Sequence, residues 1–491
     1  MMFAVLIAFC SLLLGIFLLK QRKHGLNIPS PPSHWLLGHI PLMRKSGSIA
    51  HEAFSKISNS YGDLIRLNLG GKNMVLVSGF DELKYIHSSE FAEDRDALEI
   101  ANLIFSGSLK ETKGVLVNSG SAWKELRRFM LKTLRDLGFG KTASEETVLT
   151  ETRFLMEEIG RMAKTDQEVD LDKVFNKAAL NIIWNLVAGE RFDYDHAKMA
   201  KLLACLDAFM LMGKKVIGQP LGAIPFLRYF PPFRATFLKC CKGMEELRNF
   251  ISETIQDHED TLDPDNPRDF IDLFLLDLGS TEHMDKSNLL ISALDLFSAG
   301  SETTSKSLMY AVALLVRNPD VQKKVQEELD AAIGGKPLLT MSDKIKLPFT
   351  EATILEIWRV GNIVPISPPR RTSKPLEIGG STIPANTMIL SNTHTMHMDP
   401  KYWENPQSFN PSRFINSKGM FVADEKVLAF GTGKRRCLGE SLARMENFLF
   451  LTNLVQRFSF SPGDQGPPSL QAQGGFTNGP EPFKVKVTPR F

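Results

Sequence analysis

One cysteine set among glycines and arginines carries the strongest chemical signal in this sequence. The stretch Phe430-Gly-Thr-Gly433-Lys-Arg435-Arg-Cys437-Leu-Gly439 has the form F-x-x-G-x-R-x-C-x-G. Gly433 and Gly439 let backbone N–H groups turn toward the sulfur without side-chain obstruction. Apolar periodicity resumes over residues 438–443, which predicts a helix beginning at Cys437. Helix-start dipoles and inward N–H groups both favour a thiolate. With no second Cys or His at zinc spacing, a lone thiolate points to an axial haem ligand rather than zinc. The plain alternative, a buried structural cysteine, would not require this arrangement of glycine, arginine and phenylalanine.

Further groupings accompany it. Residues 289–315 form a long, mostly apolar helical stretch interrupted by Ala299-Gly300-Ser301-Glu302-Thr303-Thr304. A glycine in a helix interior costs about 1 kcal/mol relative to alanine, and a mid-helix threonine competes for the carbonyl four residues back. A locally loosened helix with room for a small ligand is therefore expected around Thr303. Glu356 and Arg359 stand at i,i+3, on one helix face. Arg413 follows in Pro411-Ser-Arg413-Phe414. Trp123 and Arg127 stand at i,i+4, so both side chains reach one target. His394 and His397 share a helix spacing too, but without a third ligand they are expected to be structural or surface histidines.

The elements that must position these groups read as helical with a small β part. Leu64–Leu69, the turn Gly70-Gly71 and Met74–Val77 predict a β-hairpin. Helical periodicity dominates from about residue 122 to 360, including Val321–Ile333 before Gly334-Gly335. Beyond residue 361 prolines and glycines multiply around short strands such as Thr387–Leu390. No repeat, low-complexity tract or composition break divides the body. Gly-x-Ser-x-Gly, Walker and Gly-x-Gly-x-x-Gly patterns are absent from the sequence.

Residues 1–19, MMFAVLIAFCSLLLGIFLL, carry no charge. At 1.5 Å per residue such a helix is roughly 28 Å long, enough for the ~30 Å hydrocarbon core. Basic charge follows it at Lys20, Arg22 and Lys23 rather than preceding it, and no small-residue cleavage site follows, which disfavours a removed signal. The positive-inside tendency then keeps the body cytosolic. The run Ile28-Pro-Ser-Pro-Pro32 predicts a stiff hinge. The expected division is an anchor over 1–20, a basic, proline-rich hinge over 21–33 and one catalytic body over 34–491. In 491 residues, 58 basic and 56 acidic side chains leave a net charge of +2, giving no reason to expect a nucleic-acid partner. Five cysteines make no disulfide framework and fit a reducing compartment.

The Cys437 loop resembles the haem-binding signature of the cytochrome P450 family, and the other groupings match that family in chain order. Glu356-Ile-Trp-Arg359 is similar to its E-x-x-R, Pro411–Phe414 to its P-x-R-F, and Ala299–Thr304 to its A-G-x-[D/E]-T-T. The resemblance implies a mainly α fold with short β-sheets behind a transmembrane helix. It implies Cys437 as ligand of haem b iron, with Phe430, Gly433, Arg435 and Gly439 in the haem-binding loop. Trp123, Arg127 and Arg435 would be the propionate partners; Arg370 stands where relatives often carry histidine, which leaves Arg370 and Arg371 both open.

It also implies a monooxygenase inserting one atom of O2 into a lipophilic small molecule, with Thr303 at the oxygen site and Glu302 in the proton relay. Details such as Trp123–Arg128 followed by Thr133–Gly140 resemble the animal microsomal branch, which includes steroid-, hormone- and xenobiotic-oxidising members. That implies the endoplasmic reticulum membrane and electrons from NADPH through NADPH–cytochrome P450 reductase, with cytochrome b5 as a second candidate donor. Arg128, Lys132, Arg135, Lys434 and Arg436 would form the docking patch. The pocket would draw on Leu103–Phe105, Phe209–Met212, Leu296, Val364–Ile366 and Phe476, mainly apolar residues. An oxygen-independent isomerase or dehydratase and a non-catalytic haem sensor are the alternative readings.

Overall fold

The computed structural model describes residues 27–491 apart from 36, 70, 97, 141, 166, 217–218 and 334–336. The expected transmembrane helix, the first part of the hinge, one glycine of the hairpin turn and the Gly334-Gly335 stop lie outside the described residues. Among the described residues no helix is long and apolar enough to cross a membrane.

The eight helices that bear on the site are α1 (Glu99–Ser106), α2 (Gly120–Asp136), α3 (Asp172–Ala188), α4 (Ala197–Lys215), α5 (Phe233–Thr261), α6 (Lys286–Arg317), α7 (Pro348–Gly361) and α8 (Glu440–Arg457). The longest of them, α6, runs through the middle of the body and is buried over most of its length. Its C-terminal half packs with α7 and α8 in one core that includes Leu308, Leu315, Trp358, Phe448 and Leu454. Its N-terminal half packs with α1, α4 and α5 in a second core containing Phe105, Phe209, Leu247 and Phe297.

Contrary to the expected loosening, α6 is continuous through Gly300. A side chain at Gly300 would put its Cβ 2.8 Å from Cγ1 of Ile183 on α3. The glycine therefore serves close helix–helix approach rather than a break. The expected competition does occur at Thr303, whose hydroxyl donates to the Ala299 carbonyl at 2.8 Å.

The largest of three described sheets has five strands, β1 (Leu64–Leu69), β2 (Lys72–Val77), β3 (Asp94–Arg95), β4 (Arg370–Arg371) and β5 (Met388–Ser391), in the order β1-β2-β5-β4-β3. The expected hairpin pairs Leu64 with Val77 and Leu69 with Lys72. A parallel pairing of β2 with β5 brings in the C-terminal third of the chain. At the far edge Arg95 pairs with Arg370. The proline run lies against this sheet: Ile28 is buried in its core, and the Pro29 carbonyl accepts the Arg66 N–H at 2.8 Å.

Candidate active site

The cysteine loop is held by its own backbone and by glycines. The Cys437 N–H donates to the Phe430 carbonyl at 2.9 Å. Phe430 meets Trp358 of α7 edge to face at 5.1 Å, which ties the loop to the core. Gly433 has φ +72°, and a Cβ there would collide with the His87 carbonyl oxygen, so the loop accepts only glycine at this point. Cys437 lies just ahead of α8, whose N-cap is Gly439. The Gly439 N–H and the cations Arg127 and Arg436 pull the thiol down, but burial outweighs them and its ionisation lies above the ordinary value. The expected thiolate is thus not produced by the loop alone. A cation bound directly to sulfur would supply what burial takes away.

Around this loop the fold gathers arginines. Across the sheet edge Arg95 stands opposite Arg370, a pairing that places like charges side by side at a cost. Arg435 joins them, donating to the carbonyls of Glu93 (2.8 Å), Val115 (3.2 Å) and Asn118 (2.5 Å). Its guanidinium carbon lies 3.6 Å from the Trp123 ring centroid. Burial and mutual repulsion push Arg95 down to about 10, Arg370 to about 9 and Arg435 to about 8. Arg127 of α2 stands beside them and donates to the Arg436 carbonyl at 2.6 Å.

The nearby acids are engaged elsewhere: Glu93 with Lys434 and Lys124, Asp96 with Lys72 and Arg371. Of the two candidates left open by the sequence, Arg370 is buried in the cluster, while Arg371 is paired with Asp96. Arg95 belongs to this cluster, although the sequence reading did not single it out. Its only signal is its partnership with Arg370, which pairing of distant strands creates.

This set fits haem. Arg95, Arg127, Arg370 and Arg435 have no carboxylate at ion-pair distance among the described residues, and buried Trp123 Nε1 and Arg370 Nε lack hydrogen-bond partners. Forked cationic donors with spare N–H groups are what two buried propionates require. Cys437, though set among protein atoms, keeps open surface. On α6, Ala299 is exposed and Leu296 and Thr303 are partly so, in the midst of buried neighbours. That i,i+3,i+7 strip is a helix face left uncovered by protein.

Glu302, on the next face, is buried; burial raises its ionisation and Lys306 opposes the rise. Two other acids on this side escaped the sequence reading. Asp295 accepts the N–H groups of Val115 and Leu116 at 2.7 and 2.9 Å, fixing the loop before α2, and burial pushes it up to about 7. Glu446 of α8 accepts the Thr304 hydroxyl at 2.6 Å and is pushed up to about 8.

Behind the site, Glu356 and Arg359 form a wholly buried two-point pair at 2.7 and 2.8 Å. Arg413 adds a third contact to Glu356 at 3.0 Å. His397 is fully buried, accepts the Leu428 N–H, and is held down to about 3 by burial and by Arg359, so it is a neutral structural histidine. His394 is partly buried, and that burial lowers it to about 4. Of the expected pocket residues, Phe105, Phe209, Leu296 and Phe476 share one apolar cluster, with the Phe209 and Phe476 rings stacked at 5.1 Å. Ile366 packs instead with the sheet.

Comparison with known proteins agrees with this geometry. The cytochrome P450 family profile matches residues 28–487. Cytochrome P450 2J3 of Rattus norvegicus is 35% identical over 97% of this chain and 94% of its own length. Cytochrome P450 2B4 of Oryctolagus cuniculus is 33% identical over 99% of both chains, and cytochrome P450 2U1 of Homo sapiens 32% identical over 96% and 91%. A mainly helical body with small sheets, a cysteine loop and an arginine cluster suited to propionates are thus joined by relatives matched along almost the whole chain. The chain belongs to the cytochrome P450 family and is a haem-thiolate monooxygenase, using haem b, O2 and NADPH-derived electrons on lipophilic small molecules.

Proposed function

We propose that Cys437 ligates the haem iron and that Arg95, Arg127, Arg370, Arg435 and Trp123 hold the propionates. The observation that carries this is the guanidinium cluster, buried at Arg370 and Arg435 and without a carboxylate partner among the described residues. Haem supplies oxygen activation when bound; the chain's own residues decide where substrate sits and where protons move. Cys437, whose sulfur is open, would hold the iron, and the open strip on α6 would line the oxygen side of the haem space. Thr303 lends its hydroxyl to the oxygen side, switching its donation away from Ala299. Glu302, buried and with Thr477 donating to it at 3.5 Å, passes protons inward. Phe105, Phe209, Leu296 and Phe476 exclude water and hold a lipophilic substrate by burial rather than by hydrogen bonds.

The N-terminal 20 residues are the membrane anchor, the hinge over 21–33 sets the posture of the body, and the catalytic body extends from residue 34 on the cytosolic side of the endoplasmic reticulum. NADPH–cytochrome P450 reductase is the electron donor, with cytochrome b5 as a second donor. Arg128, Lys132 and Arg135 support this docking reading: they are exposed on α2, with no ion pair among the described residues. Lys434 and Arg436 lie beside them but are already paired, with Glu93 and Glu440.

Thr303→Ala tests the oxygen-activating reading against an oxygen-independent isomerase or dehydratase. Haem content should be retained while NADPH oxidation is diverted to peroxide or water, lowering product formed per NADPH by about tenfold or more, in the range of a lost proton-transfer group. Product and peroxide are measured together in the reconstituted system. Coupling equal to that of the parent would reject the role assigned to Thr303.

A further inference from the structure

Glu302 does not sit in a purely apolar environment. One helical turn along α6, the Lys306 ammonium lies 3.7 Å from its carboxylate and 2.6 Å from Asp172 at the start of α3. The chain of charges crosses from surface to interior: the Asp172 side chain is 37% exposed, Lys306 19% and Glu302 3%. The lysine stem is accommodated by the C-terminal loop, where a Cβ at Gly479 would lie 2.8 Å from Lys306 Cδ. Asp207 and Lys214 of α4 face the same group, and Lys214 is held by Gln473 at 2.6 Å. Lys173, on α3, acts on Asp207 from outside. From the C-terminal loop Thr477 contributes a hydroxyl.

We propose that Lys306 is a positioning residue for proton delivery: salt-linked to Asp172 at the surface, it holds Glu302 as a fixed carboxylate until a proton reaches it from solvent. This rests on the reading of Glu302 as the proton relay. Lys306 keeps its own proton throughout; each proton that Glu302 accepts from water it gives up inward, returning to the carboxylate. The two partners act on Glu302 in opposite senses. Lys306 favours its charged form, whereas Asp172 both opposes that charge and shares the lysine.

The signs make the proposal testable in the holoenzyme. The carboxyl stretch of isotope-labelled glutamate, assigned by its loss in Glu302→Gln, reports the pH midpoint of Glu302 in infrared difference spectra. Lys306→Met should raise that midpoint by about one pH unit or more, Asp172→Asn should lower it, and Lys306→Arg should restore the parent value. The pH profile of product formed per NADPH should move with it. Midpoints that stay put, or that move the same way in Lys306→Met and Asp172→Asn, would overturn the linkage whatever Glu302→Gln does to coupling. Parent-like coupling in Glu302→Gln would overturn the relay reading by itself, leaving the infrared midpoints to decide the linkage.

Discussion

Arg359→Met is expected to cost about 3–5 kcal/mol, the range for breaking a buried ion pair by removing one partner. Neither Arg359 nor Glu356 has any exposed side-chain area, so the carboxylate left behind gains no water. The same change removes the donors to the carbonyls of His397 (2.7 Å) and Pro406 (2.9 Å), which lie in the segment leading to the Cys437 loop. Misfolding should therefore show as loss of haem incorporation as well as lowered unfolding temperature. Arg413→Met should cost less, because that side chain is 11% exposed and makes a single contact to Glu356. Replacing Glu356 and Arg359 together by apolar residues should recover part of the loss, because the under-compensated buried carboxylate is gone and only the 11% exposed Arg413 loses its partner. Chemical denaturation of all three variants checks the order. An Arg359→Met protein as stable as the parent would remove this network from the account of the fold.

Cys437→Ala should abolish turnover while leaving the protein part folded. Alanine keeps the backbone N–H that donates to Phe430, and the sulfur it removes is not packed in the core, so little folding energy is lost. If the arginine cluster holds the propionates as proposed, some haem should remain associated, without a ligand from this loop. The remaining described cysteines cannot substitute. Cys205 and Cys240 are buried in the helical layer, where burial pushes both thiols up to about 11, and Cys241 is partly buried on the same helix as Cys240. Circular dichroism should be unchanged, and product formation should fall below detection. Retained turnover would mean that the ligand had been wrongly assigned.

What was legible in the sequence was whatever local spacing encodes. The hairpin, the helical middle of the chain and the Glu356–Arg359 pair all depend on residues within a few positions of one another, and each is present. The cysteine loop is legible as a motif, but Gly433 is required both by its own φ of +72° and by the His87 carbonyl that the fold brings against it. Arg95 was not legible. It becomes part of the site only because β3 pairs with β4, a contact between distant strands for which neither strand of two residues carries any periodic signal.

Gly300 shows the opposite failure. Its helix propensity was read correctly as a local cost, but the reason for it lies across the interface at Ile183, where only a missing side chain allows α3 to approach α6. The buried acids Asp295 and Glu446 escaped for a related reason: a carboxyl in an apolar helix looks like a surface residue until the fold brings Val115, Leu116 and Thr304 to it. Lys306 likewise reads as an ordinary helical lysine, and its meaning appears only with Asp172 and Gly479 in place.

Every role proposed for the site depends on iron bound to the sulfur of Cys437. The ferrous–CO absorption spectrum of the purified, haem-loaded protein tests it most directly, because thiolate donation shifts the Soret band to long wavelength relative to histidine-ligated or unligated haem. A long-wavelength Soret band that disappears in Cys437→Ala is the predicted result. A parent protein whose band lies at the ordinary position under conditions that preserve its fold would contradict the account.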